Sequence, residues 1–158
     1  MSETIQVVSF KLGSEEYGVD IAQVQEINRM VAVTHVPRAP QFMEGVINLR
    51  GQLIPIIDLR ARFGMPRAEH TKNTRIVVTE IGTKRVGMVV DSVSEVLRLD
   101  VAQIEPAPEM ITGVDTEYIR GVGKIEDRLI ILLDLAKIIT GSEKRELDSA
   151  DAEAVAAA

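Results

Sequence analysis

The chain has 158 residues, 46% of them hydrophobic, with a formal charge of −6 and a pI near 5.0, so no basic field exists to hold a phosphate backbone. Cysteine is absent, which excludes disulfides, thiolate nucleophiles and cysteine-ligated metals and suits a reducing compartment. The opening residues Met-Ser-Glu-Thr-Ile-Gln lack the basic and apolar regions of a signal peptide, and the most apolar run, residues 129–133, is far short of the roughly 20 residues a bilayer crossing takes; a cytoplasmic protein is expected.

In chain order, residues 7–12 alternate as a strand, residues 13–16 turn, and residues 17–21 return, which reads as a hairpin whose turn uses the free backbone of Gly13. Residues 22–27 are of mixed character and predict a helical turn leading into another strand. Residues 45–49 and 52–57 form a second hairpin about the tight Arg50-Gly51 turn. Asp58 then caps a short helix over residues 59–63 that Gly64 ends.

The same series then repeats. Residues 7–27 resemble residues 76–96 at a constant offset of 69, pairing Gly13 with Gly82, Gly18 with Gly87, Val24 with Val93 and Glu26 with Glu95. The offset holds to Pro37 and Pro106, the second copy gains seven residues around 107–115, and an offset of 76 takes over. Gly45 then matches Gly121, residues 53–54 match 129–130, and Asp58 matches Asp134, which caps a closing helix over residues 135–139 before Gly141. The second copy thus predicts a hairpin at 76–90, a mixed segment at 91–96 and a hairpin at 121–133. About five short strands per copy point to a mainly β protein of two small antiparallel barrels sharing a core. Subdomain 1 spans about 7–70 and subdomain 2 about 71–141, a division compatible with strand exchange at the N-terminus. The acidic, alanine-rich tail at 142–158 offers little apolar area to dock and is expected to fray.

Catalytic patterns are missing from the chain. His35 and His70 are the two histidines and suit surface roles, no phosphate-binding glycine loop or nucleophile elbow occurs, and Asp58 and Asp134 are explained by capping. Neither catalytic residues, cofactor nor metal is expected, and binding is the favoured class of function. With aromatics at 3% and no tryptophan, an aromatic peptide groove of the usual kind is disfavoured and aliphatic and charged side chains must meet the partner. An enzyme acting in the cleft between the barrels and a nucleic-acid-binding barrel are the competing classes.

The run 15–21, the segment 24–27, the long stretch 45–60, and in the second half 86–97 and 106–108 together resemble the CheW family of chemotaxis coupling proteins, over nearly everything from Val7 to about Thr140. The resemblance implies two five-stranded SH3-like barrels around a shared core. It also implies a non-catalytic adaptor that binds the CheW-like regulatory domain of the histidine kinase CheA and the cytoplasmic hairpin tip of chemoreceptors. Such a protein would be a monomer in isolation, recruited to membrane receptor arrays, without nucleic-acid binding or membrane insertion. Carried over by position, the partner contacts fall at Val24, Glu26, Gly45, Asn48, Arg50 and Val96. Arg50, at the hairpin tip, can reach a partner's carboxylate or pair with Glu26, whereas Gly45, matched by Gly121, also suits a backbone requirement. The alternative within this class is a CheW-like adaptor of another receptor and kinase pathway, in motility or development. Neither receiver-domain nor kinase motifs accompany the match, so the free-standing form is the one it resembles.

Overall fold

The computed structural model describes residues 3–37, 42–106 and 118–138, which form eleven strands, two single-turn 3₁₀ segments and two one-turn helices. The first copy contains β1 (Thr4–Leu12), β2 (Glu15–Asp20), a 3₁₀ turn (Ile21–Gln23), β3 (Val24–Arg29), β4 (Met43–Leu49), β5 (Gln52–Asp58) and α1 (Leu59–Arg62). The second contains β6 (Arg75–Ile81), β7 (Lys84–Val90), β8 (Ser92–Asp100), a 3₁₀ turn (Val101–Gln103), β9 (Ile104–Glu105), β10 (Ile119–Ile125), β11 (Arg128–Leu133) and α2 (Leu135–Ile138). The expectations for residues 38–41, 107–117 and 139–158, including the Gly141 stop and the acidic tail, lie outside the described residues.

The strands form two sheets, ordered β8-β1-β2-β11-β10-β9 and β3-β6-β7-β5-β4. Each sheet mixes the two copies: the leading hairpin β1–β2 sits among strands of the second copy, and the hairpin β6–β7 among strands of the first. The repeat fixes this arrangement down to the register. Phe10 stands opposite Val93 and Ser9 opposite Glu95, as Thr79 stands opposite Val24 and Val78 opposite Glu26, with a bulge at the same step. The pairs from Met43↔Ile57 to Leu49↔Gln52 are likewise echoed by Ile119↔Leu133 to Ile125↔Arg128.

Two sequence expectations are corrected. The barrels are not purely antiparallel, because each exchanged hairpin is joined to its host by a parallel pair, β2 to β11 and β5 to β7. At that junction Gly18 and Gly87 stand opposite Leu132 and Ile56; a Cβ at Gly87 would press on Ile56 and Ile76, so the matched glycines let the strands approach. The second correction concerns residues 91–96, which begin β8 directly without a helical turn. Their expected counterpart of the Asp20 cap is Val89, which cannot cap. Asp91 instead gives its carboxylate to Arg60 and to the Gly13 N–H. The 3₁₀ turn appears ten residues later, where Asp100 accepts from the Ala102 N–H at 3.0 Å, as Asp20 does from Ala22 at 2.9 Å.

Alternating residues of the central strands serve different cores. Ile54 and Ile56 face the interior of the first barrel with Ile76 and Val78, while Ile130 and Leu132 face that of the second with Val7 and Leu99. The intervening Ile57, Ile131 and Leu133 join Phe10, Tyr17, Val77, Met88, Leu59, Leu135 and Ile138 in a third cluster shared by both copies. Strands buried on both faces read as unbroken apolar runs, which accounts for residues 130–133.

α1 fastens the copies together. Arg60 grips Asp91 side-on through Nε and Nη2 (Nε–Oδ1 2.8 Å), and the same carboxylate accepts the Gly13 N–H at 2.7 Å. Arg62 donates from Nε to the Ile138 carbonyl at 2.7 Å and lies over the rings of Phe42 and Tyr118, 4.8 and 5.1 Å from their centroids. Phe42 and Tyr118 are themselves repeat-related, so one arginine bridges an equivalent pair.

Candidate functional site

The β4–β5 hairpin turns through Arg50, which holds φ +50°, and Gly51 at φ +84°, a backbone that an arginine enters only at some cost. Two contacts hold it there. Asn48 accepts the Gly51 N–H on its side-chain oxygen at 2.9 Å, and the exposed Arg50 guanidinium pairs with Glu26 on β3. Asn28 donates to the other oxygen of Glu26 at 2.7 Å. The hydrogen bond from Arg50, followed by that from Asn28, holds the Glu26 carboxyl below its ordinary pKa. Since β3 and β4 are the outermost strands of their sheet, this pair spans the seam where the barrel closes. Thr34 closes it further along by exchanging backbone hydrogen bonds with Val46 at 2.8 and 2.9 Å.

Gly45 lies beneath this seam. It is buried, with φ +148°, and a Cβ there would collide with the carbonyl of Thr34. Its requirement is therefore set by backbone approach. Gly121 shares the bulge and the burial but not the positive φ.

Val24 is half-buried against the shared core, and Ile27 beyond it on β3 is exposed. Val93 and Val96 repeat this on β8, where Val93 packs on the same core and Val96 is 51% exposed. Of the six residues carried over by position, Glu26, Asn48 and Arg50 thus gather at one hairpin tip and Gly45 supports them from below. Val24 and Val96 belong to two repeat-related aliphatic stripes that run outward from the shared core.

Sequence reasoning missed Asn28 and the corresponding cluster of the second barrel. There Arg128 pairs with Glu16 (Nε–Oε1 3.1 Å) and with Glu95 (Nη1–Oε1 2.8 Å), and these two carboxylates raise its pKa. The match of Glu26 with Glu95 was the signal available for finding it. Among the described residues no three His, Cys, Asp or Glu side chains converge as a metal site, and no helix is long and apolar enough to cross a membrane.

Two small barrels with exchanged hairpins, exposed aliphatic stripes and a charged hairpin tip define a docking module of the scaffold class. The chain belongs to the CheW-like family, whose domain model matches residues 6–143. It is 44% identical over 140 residues to the chemotaxis protein CheW of Klebsiella aerogenes, covering 89% of this chain and 84% of that protein. It is 34% identical over 137 residues to the CheW of Thermotoga maritima, covering 85% and 87%. The crystal structure of the scaffolding protein TtCheW from Thermoanaerobacter tengcongensis superposes with a TM-score of 0.81 at 38% identity, covering 90% of this chain and 92% of that one. Its role is accordingly that of a chemotaxis scaffold.

Proposed function

We propose that the protein couples chemoreceptors to the histidine kinase CheA without catalysing a reaction. It would work in the cytoplasm at receptor arrays, holding the receptor's hairpin tip and the CheW-like regulatory domain of the kinase at the same time. The observation that carries this reading is the Arg50 tip: an exposed guanidinium at a positive-φ turn, oriented by Glu26 and stapled by Asn48. Such a group is held ready for a partner carboxylate at reduced entropic cost. The aliphatic stripes Val24–Ile27 and Val93–Val96 supply the apolar contact that a helical hairpin needs.

Calorimetric titration with the isolated regulatory domain of a CheA from the same genome, followed by a receptor cytoplasmic fragment, tests the reading. Saturable one-to-one binding to each is expected, and Arg50→Ala should weaken one of them by about 1 to 3 kcal/mol with an unchanged melting curve. Absence of binding to any encoded CheA would transfer the protein to another receptor and kinase pathway. Wild-type affinity for both partners in the variant would remove Arg50 from the interface.

A further inference from the structure

β3 and β8 repeat one more feature beyond their exposed aliphatics. On β3, Ile27 (40% exposed) is followed two residues later by Arg29, and both lie on the exposed face of the alternation. On β8, Val96 (51% exposed) is followed by Arg98, flanked by the buried Leu97 and Leu99. Arg29 and Arg98 are related by the repeat, as are Ile27 and Val96. Neither guanidinium has a hydrogen bond or ion pair with any described residue, although the chain carries 24 acidic residues against 18 basic ones. The arginines of the neighbouring clusters, Arg50, Arg60 and Arg128, all hold carboxylates.

The β3 site is also charged from its neighbour. Arg75 on β6 stands directly opposite Arg29, and its guanidinium donates to the backbone carbonyls of Lys72 and Thr74 at 2.8 and 2.9 Å. Like charges facing each other across a ladder are unfavourable. A partner's carboxylate relieves the repulsion. On β8 the residue opposite Arg98 is the neutral Gln6, so the second site carries the same pattern with less charge.

We infer that Arg29 and Arg98 select the partner helix, each taking a Glu or Asp four positions from the apolar residue that sits on Ile27 or Val96. The dimensions fit: two residues along a strand advance about 6.7 Å, and four along a helix about 6 Å. This rests on the receptor reading above and adds to it a sequence requirement, an acidic residue at i±4 from an apolar anchor. Because of Arg75, the β3 site contributes more than the β8 site.

The test pairs two probes, a receptor cytoplasmic fragment from the same genome and helix-stapled peptides carrying Leu with Glu, or Leu with Gln, four positions apart. Each is titrated into the wild type, Arg29→Gln, Arg98→Gln and the double variant, whose melting curves confirm folding. Losses of about three-fold for one arginine and about ten-fold for both are expected, the range for exposed ion pairs. Arg29→Gln should be the larger single loss, salt should weaken the wild type more than the double variant, and the Glu peptide should bind more tightly than the Gln peptide. Fragment binding that is equal in wild type and double variant would overturn the inference while leaving the receptor reading intact. A Glu-peptide preference lost in the double variant, with no binding of the fragment, would uphold the inference for another acidic helix and remove the receptor. Binding of neither probe overturns both.

Discussion

The two barrels share strand registers, bulges and hairpin positions, yet their equivalent surface positions carry different charges. In the first, Glu26 is balanced by Arg50, while Arg85 hydrogen-bonds Gln52. In the second, the places of Gln52 and Arg85 are taken by Arg128 and Glu16, and Arg128 faces both Glu16 and Glu95. The position of Arg50 is occupied by Glu126, which keeps the positive φ of its counterpart at +52°. Backbone geometry survived duplication because packing fixes it, whereas the seam's side chains were free to diverge into a cationic tip on one barrel and an anionic one on the other. One frame thus carries two differently charged hairpin tips.

The largest expected effect separates geometry from chemistry in this pair. Gly45→Ala should cost about 3 to 5 kcal/mol, from positive-φ strain together with collision on the Thr34 carbonyl, and Gly121→Ala about 1 to 3, since only crowding by Ile104 and Glu105 opposes it. Urea unfolding of both variants checks this, and equal losses would mean that the two bulges are energetically alike.

Next comes the Arg60–Asp91 clamp, which has no counterpart across the repeat because Ala136 and Ala22 occupy the matching positions. Asp91→Asn should lower stability by about 1 to 3 kcal/mol at neutral pH. The hydrogen bond from Arg60, supported by the Gly13 N–H, holds the Asp91 pKa below its ordinary value. Its contribution is therefore whole above the ordinary aspartate pKa of about 3.9 and is lost as the pH falls through the lowered one. Unfolding measured between neutral pH and pH 3 should show the gap between wild type and variant closing at the acid end. A gap independent of pH would assign the loss to packing.

The smallest effect compares the two seams directly. Arg128→Gln leaves Glu16, whose side chain is 12% exposed, facing Glu95 without a cation, and should destabilise by about 1 kcal/mol. Arg50→Gln, at a side chain 72% exposed, should leave the unfolding midpoint unchanged. A reversal of that order would make the Arg50 pair the structural one and the Arg128 network the surface available to partners.

The repeat, both hairpin pairs and the Asp58 and Asp134 caps were legible in the sequence because each is written locally, in alternation, in a glycine or in an acid before a helix. The 3₁₀ turns show how local that code is: Asp20-Ile21-Ala22-Gln23 and Asp100-Val101-Ala102-Gln103 fold alike at places the repeat does not relate. The parallel pairing of β2 with β11 was not legible, since register between strands over a hundred residues apart leaves no mark on either one. Of the site, the matched glutamates and the Arg50 turn could be read in advance. Asn28, Arg128 and the unpaired Arg29 and Arg98 depend on which side chains the closed seams bring together or leave apart.

The exchange of hairpins also bears on how the chain is made. When residues 4–62 have left the ribosome, β1 and β2 have no sheet to join and β3 to β5 lack the two strands that must lie between them. At about 5 to 20 residues per second, the nascent chain spends several seconds with apolar strand edges unpaired, until β6 and β7 emerge to complete the first barrel. Synthesis then runs through Leu133 before β11 can accept β2. The shared core, which draws side chains from both copies, is thus complete only once β11 has joined β2.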